Sequence, residues 1–274
     1  MTIKKDDGST KKTLFGSLGV LGVIALKFKF YIFAALKALT FIKVGWLLSP
    51  ILSVGLYAML FGWPYAIAIV LLLFIHEMGH WIWMKCLGLE PKAPIFIPGV
   101  GAYVAMTKLP PDQATHAWVA LAGPLVGGVG SAALFYAGVQ TDNHWLTAAG
   151  STGFMLNLLQ LVPAKPLDGG FVIHAISKWL LIPGTGLLFA LAAMWQSVLL
   201  LIIAGISFFS LLKMFLKRQP VDAYGVPIPE PDQQTPATVP QRILIAIAYL
   251  GLAGMLAYLQ WLSSNQLISF VHNQ

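Results

Sequence analysis

The chain has 274 residues, 58% of them hydrophobic and only 10% charged. Soluble domains carry about a quarter charged residues, so this composition excludes an ordinary soluble fold and implies an integral membrane protein. The formal net charge of +7 does not signal a nucleic-acid partner, because the lysines gather at the ends of apolar segments.

The amino terminus opens with Lys4, Lys5, Lys11 and Lys12. The apolar run at 14–26 resembles a signal peptide, but Lys27 and Lys29 stand where a small-residue cleavage site belongs, so no cleavage is expected. At about 100° per residue, Lys29, Lys37 and Lys43 fall within an arc of roughly 120°. Residues 27–43 therefore read as a helix lying on the membrane surface. Apolar stretches of roughly spanning length follow at 44–63, 65–84, 117–139, 145–162, 185–212 and 243–263. The expected fold is thus an all-α polytopic membrane protein of about six transmembrane segments.

The second stretch contains FIHEMGHW (74–81), with two histidines and a glutamate in apolar surroundings. Burying such groups in hydrocarbon costs several kcal/mol unless something compensates. His76 and His80 are four residues apart, so on a helix they project from one face as two ligands of one tetrahedral metal must. Glu77 beside them can take a proton from water acidified by zinc and pass it to a departing amine, which is amide hydrolysis. The single cysteine, Cys86, supports neither a disulfide nor a thiolate cluster and reads as a small buried residue.

PIFIPGVGAYVAM (94–106) has a turn-forming PGVG between β-favouring runs and reads as a short hairpin at the membrane surface. A helical substrate must unwind before water reaches its amides, and a strand edge at Tyr103 and Val104 would hold the extended chain by main-chain hydrogen bonds. Gly123, Gly127 and Gly128 permit close helix packing, and His116 and His144 flank spans as interfacial residues.

A third metal ligand is needed. Asp168 is the acid that adjoins the end of a span, in LVPAKPLDGGF, where prolines and glycines make a regular helix implausible. Irregular backbone at that depth is tolerated where it lines a cavity. His174, six residues on, reads as a structural neighbour of the centre. Residues 185–216 would make one helix about 48 Å long, and a bent pair turning near 194–197 fits the charges better. From 218 to 241 the chain is polar and proline-rich, a linker, before a last span that looks peripheral to any chemistry. Basic loops holding Lys85, Lys92, Lys108, Lys165 and Lys178 orient the amino terminus and the site toward the cytoplasm, in a multi-pass protein of the cell membrane.

HEMGH in one span, AGPLVGG (122–128) in the next and PAKPLDGG (163–170) after a third resemble the core of the site-2 protease family of intramembrane zinc metalloproteases, compact prokaryotic type. The resemblance covers residues 65–175. It implies one zinc bound by His76, His80 and Asp168, Glu77 as general base, a membrane-spanning protein substrate within the lipid bilayer, and no PDZ or CBS domain. Relatives carry asparagine eight residues before the aspartate; here that position is Gln160, with Asn157 one turn earlier on the same face. Either amide could bind the substrate backbone, with Gln160 favoured because Pro163 keeps its spacing to Asp168.

Four parts are expected: a basic segment and interfacial helix (1–43), a membrane-embedded metalloprotease core (44–217), the linker (218–241) and a carboxy-terminal transmembrane helix (242–274). Two other functions compete. A catalytically silent membrane binding protein on this scaffold would not need Glu77 beside both histidines, and a metal transporter would spread polar residues along several spans.

Overall fold

The computed structural model describes residues 45–107, 109–216 and 234–272. The interfacial helix expected at 27–43, the basic amino terminus, Lys108 and most of the linker lie outside the described residues.

Helix α1 (Gly45–Phe61) breaks at Gly62, whose φ of 83° suits a residue without a β-carbon. Helix α2 (Trp63–Cys86) then starts with Pro64, in the first turn, where its missing N–H is not needed. It ends at Gly88, φ 72°, where the Gly88 N–H reaches the Lys85 carbonyl and the Leu89 N–H the Met84 carbonyl. That double closure satisfies the last carbonyls and packs Leu89 on Met84. Cys86, on the last turn, is exposed rather than buried.

The hairpin forms as expected from PGVG. Strands β1 (Ile95–Ile97) and β2 (Gly101–Tyr103) pair antiparallel, with Ile95 opposite Tyr103 and Ile97 opposite Gly101. The Phe96 N–H donates to Ser49 Oγ of α1 at 3.0 Å, away from β2. Antiparallel ladders alternate, so Tyr103 and Gly101 turn their backbone groups to β1, and Ala102 and Val104 turn theirs to the free edge.

Helix α3 (Gln113–Gln140) is capped by Asp112, whose carboxylate accepts from the Thr115 N–H at 2.7 Å, and α4 (His144–Gln160) by the Asn143 side chain. After an irregular passage come α5 (Asp168–Ile176), a single 3-10 turn (Lys178–Leu180), α6 (Leu181–Met194), α7 (Val198–Leu216) and α8 (Val239–His272). The segment 185–216 is thus a bent pair, broken at Gln196 with φ 49°.

Among the described residues four helices are long and apolar enough to cross a membrane, namely α2, α3, α7 and α8, rather than the six spans expected. The difference lies in length. Helix α4 has 17 residues and α6 has 14; at 1.5 Å per residue, 17 residues reach about 25 Å of a hydrocarbon core about 30 Å thick, while α1 begins at the first described residue and is counted from there.

Helix α3 is the centre of the packing, against α2, α4, α5 and α8. Small residues allow the close approach: a β-carbon on Gly79 would strike the Ala122 carbonyl, and one on Gly150 the backbone at Phe135. The main buried cluster joins Ala117 and Leu121 of α3, Phe154 of α4, Val172 of α5, and Ile245 and Leu256 of α8. The last helix thus packs into the main cluster. Its Tyr249 hydroxyl donates to the Leu161 carbonyl at 2.5 Å, pinning the passage that leads to Asp168. The chain just before it, at 234–238, straps back onto the start of α3: the Gln113 N–H donates to the Thr235 carbonyl at 2.9 Å.

Candidate metal centre

His76 and His80 lie one turn apart on α2, both buried, with Glu77 buried between them in sequence. Asp168, the first residue of α5, meets them from across the fold. His76 Nε2 and His80 Nε2 are 3.2 Å apart, and Asp168 Oδ2 is 3.1 Å from the first and 3.3 Å from the second.

Proton placement follows from the other ring nitrogens. The Asn157 amide nitrogen donates to the Gly153 carbonyl at 2.7 Å, which fixes the amide's orientation and leaves Oδ1 facing His76 Nδ1 at 2.8 Å. An amide oxygen only accepts, so His76 carries its proton on Nδ1. His80 Nδ1 faces the Val119 carbonyl at 2.8 Å and by the same logic donates to it. In the neutral form each imidazole then offers a bare Nε2 toward Asp168 Oδ2, which is buried. Three converging acceptors repel one another unless a cation sits among them. Zinc bonds of 2.0–2.2 Å give a tetrahedral edge of about 3.4 Å, close to the separations here. The residues fit the ion, and the three form a group that could hold a metal.

Helix α3 shapes the seat. A β-carbon on Gly123 would collide with the His80 and His76 imidazoles, and one on Gly127 with the Asn157 amide. The packing role expected of these two glycines is thus aimed at the metal-centre side chains, whereas Gly128 meets the tip of Leu256.

The centre opens into a cavity of about 340 Å³. Glu77, Tyr103, Val104 and Gln160 line it with His76, His80 and Asp168. Asn157 does not, being buried behind His76 with its oxygen and nitrogen both engaged. Of the two hairpin residues, Val104 is buried against Met84 and Val119, and its backbone N–H hydrogen-bonds Glu77. Tyr103 exposes its side chain and turns its backbone to β1, so Ala102, also on the wall, supplies the free edge.

Two groups escaped the sequence reading. His116, expected at the interface, lines the cavity, and Phe171 stacks on it with ring centroids 4.6 Å apart. Its signal was spacing: His116, Ala120 and Gly123 recur at four and seven residues along one face of α3. His174 stands apart from the centre and accepts from the Lys165 ammonium at 3.3 Å. Burial first and the lysine second push it down to about 4.

A family model described as peptidase family M50 matches residues 64–256. The chain belongs to peptidase family M50. This is the site-2 protease family of membrane-embedded, zinc-dependent metalloproteases, in agreement with the resemblance carried by HEMGH and LDGG. This M50 chain is also 29% identical over 120 residues to the probable zinc metalloprotease EGY1, chloroplastic, of Arabidopsis thaliana. That match covers 42% of the chain and 20% of the relative, so the chain spans only a fifth of that protein's length.

Proposed function

We propose that the chain is an intramembrane zinc metalloprotease that hydrolyses peptide bonds in or near the transmembrane segments of membrane-anchored substrates. The observation that carries this reading is the convergence of three acceptor atoms, from His76, His80 and Asp168, at tetrahedral-edge separations in the cavity that Glu77 lines. One zinc per chain, when bound, would polarise the scissile carbonyl and bring the acidity of water near neutrality. Glu77 is the general base: held by the Val104 N–H, it takes the proton of the attacking water and returns it to the departing amine. The free edge at Ala102 receives the substrate as an added strand, exposing its amides to the centre. Residues 44–217 form the protease core, which α8 buttresses, and the lysine-bearing loops support a site opening toward the cytoplasm of a cell membrane.

Zinc content and cleavage of a reporter transmembrane substrate, measured together, test this. Asp168→Ala is expected to lower both, since it removes the one charged ligand. Full zinc and full cleavage in that variant would remove Asp168 from the centre.

The two amides separate in the same assay. Asn157 acts through His76, holding its Nδ1 proton, so Asn157→Leu is expected to weaken zinc binding about 10–100-fold. Gln160, on the cavity wall, is the amide placed to donate to the developing oxyanion; Gln160→Leu is expected to keep its zinc and lose about a hundredfold in turnover. Parent-like turnover in Gln160→Leu removes that role, and parent-like zinc affinity in Asn157→Leu removes the other.

A further inference from the structure

We propose that His116 is a substrate-contacting residue, donating a hydrogen bond from Nε2 to a main-chain carbonyl of the bound peptide on the side away from β2, with Gln234 as its positioning residue. The proposal rests on the protease reading above. It begins from an accounting of backbone groups. An extended peptide paired with the edge at Ala102 spends alternate carbonyls and amides on β2 and turns the rest away from it. In a cavity at membrane depth those groups also need partners. Outside Glu77 and the three ligating residues, the polar side chains on the wall are Tyr103, Gln160 and His116. Tyr103 belongs to β2 itself, so Gln160 and His116 remain for the opposite side.

His116 is held for such a task. Phe171, three residues beyond Asp168, stacks on one face of the ring. Its Nδ1 meets the Gln234 side chain, which arrives on the 234–238 strap from 118 residues away. The Gln234 amide nitrogen has two hydrogens and two acceptors at hand, the Pro110 carbonyl at 2.9 Å and His116 Nδ1 at 3.1 Å. Gln234 Oε1 lies 3.2 Å from the same ring nitrogen, but bonding through it would strand an amide hydrogen, whereas donation from the nitrogen strands a carbonyl oxygen, the less costly of the two. With Nδ1 accepting, the neutral imidazole carries its proton on Nε2 and becomes a donor. Among the described residues His116 hydrogen-bonds through Nδ1, and no group meets that Nε2. The strap thereby does more than join linker to helix: it fixes the tautomer of a cavity residue.

The test measures zinc content and kcat/KM on a reporter transmembrane substrate for the full chain, His116→Leu, His116→Gln, Gln234→Leu, the double variant His116→Leu/Gln234→Leu, and Glu77→Gln. Zinc is expected to stay at parent level throughout. His116→Leu loses about tenfold in kcat/KM, His116→Gln, which keeps a donor, recovers part of it, and Gln234→Leu loses less than His116→Leu. The double variant is no worse than His116→Leu, because Gln234 acts through His116. Parent-like cleavage by His116→Leu beside an inactive Glu77→Gln overturns the assignment and leaves the protease reading standing. Zinc loss in both His116 variants makes the ring a structural support and overturns it as well. An additive loss in the double variant overturns the role of Gln234. Parent-like cleavage by Glu77→Gln overturns the hydrolytic mechanism and this proposal together.

Discussion

Glu77→Gln is expected to retain its zinc and lose cleavage by about a hundredfold to ten-thousandfold. The change is nearly isosteric. Glutamine keeps an oxygen to accept from the Val104 N–H, so the hairpin stays docked on α2. The three converging atoms that could hold a metal belong to His76, His80 and Asp168, and none of them is altered. What disappears is the capacity to take a proton from water and hand it on. Metal analysis and turnover must be read on the same sample, since loss of both would point to a damaged fold. Parent-like turnover with zinc present would sink the proposed chemistry. The Val104 contact also limits another experiment: proline at Val104 removes a donor from Glu77 as well as from the strand edge. Ala102 is the cleaner position at which to test strand addition.

Gly123→Ala is expected to abolish zinc binding and, with it, activity, although the substitution adds one methyl group. The new β-carbon would occupy the space of the His76 and His80 rings. Neither ring can retreat easily, because the first is tied through Nδ1 to Asn157 and the second to the Val119 carbonyl. A loss of zinc affinity beyond about a hundredfold is expected, larger than removal of a supporting hydrogen bond causes. Gly128→Ala is the internal comparison. There the β-carbon meets the tip of the Leu256 side chain, which can rotate, so zinc and turnover should stay near parent level. Equal zinc affinity in the Gly123 and Gly128 variants would refute the account of the seat.

Some of this was legible in the chain before any fold. HEMGH announces two histidines on one helix face beside a carboxylate because helical spacing alone brings residues four apart together, and PGVG announces the hairpin because turn chemistry is local. The break near 194–197 was likewise suggested by length and charge, which a single pass could not reconcile. Span counting fared worse. Apolarity is shared by helices that cross a membrane and by shorter ones packed among them, and α4 at 17 residues could not be told from a full span by composition.

The sequence by itself determined the chemistry available: which side chains could bind a metal, which could move a proton, and that lipid surrounds them. Local spacing and composition carry that information. Only the tertiary structure decided how those groups are held. It set Asn157 behind His76 rather than on the cavity wall, used the backbone of Val104 and Val119 as partners for Glu77 and His80, and brought Gln234 to His116 across 118 residues. Backbone carbonyls and amides are the same at every position, so no residue pattern marks the ones that will serve. Their roles emerge when helices pack close enough, over glycine, for separate parts of the chain to share one buried space.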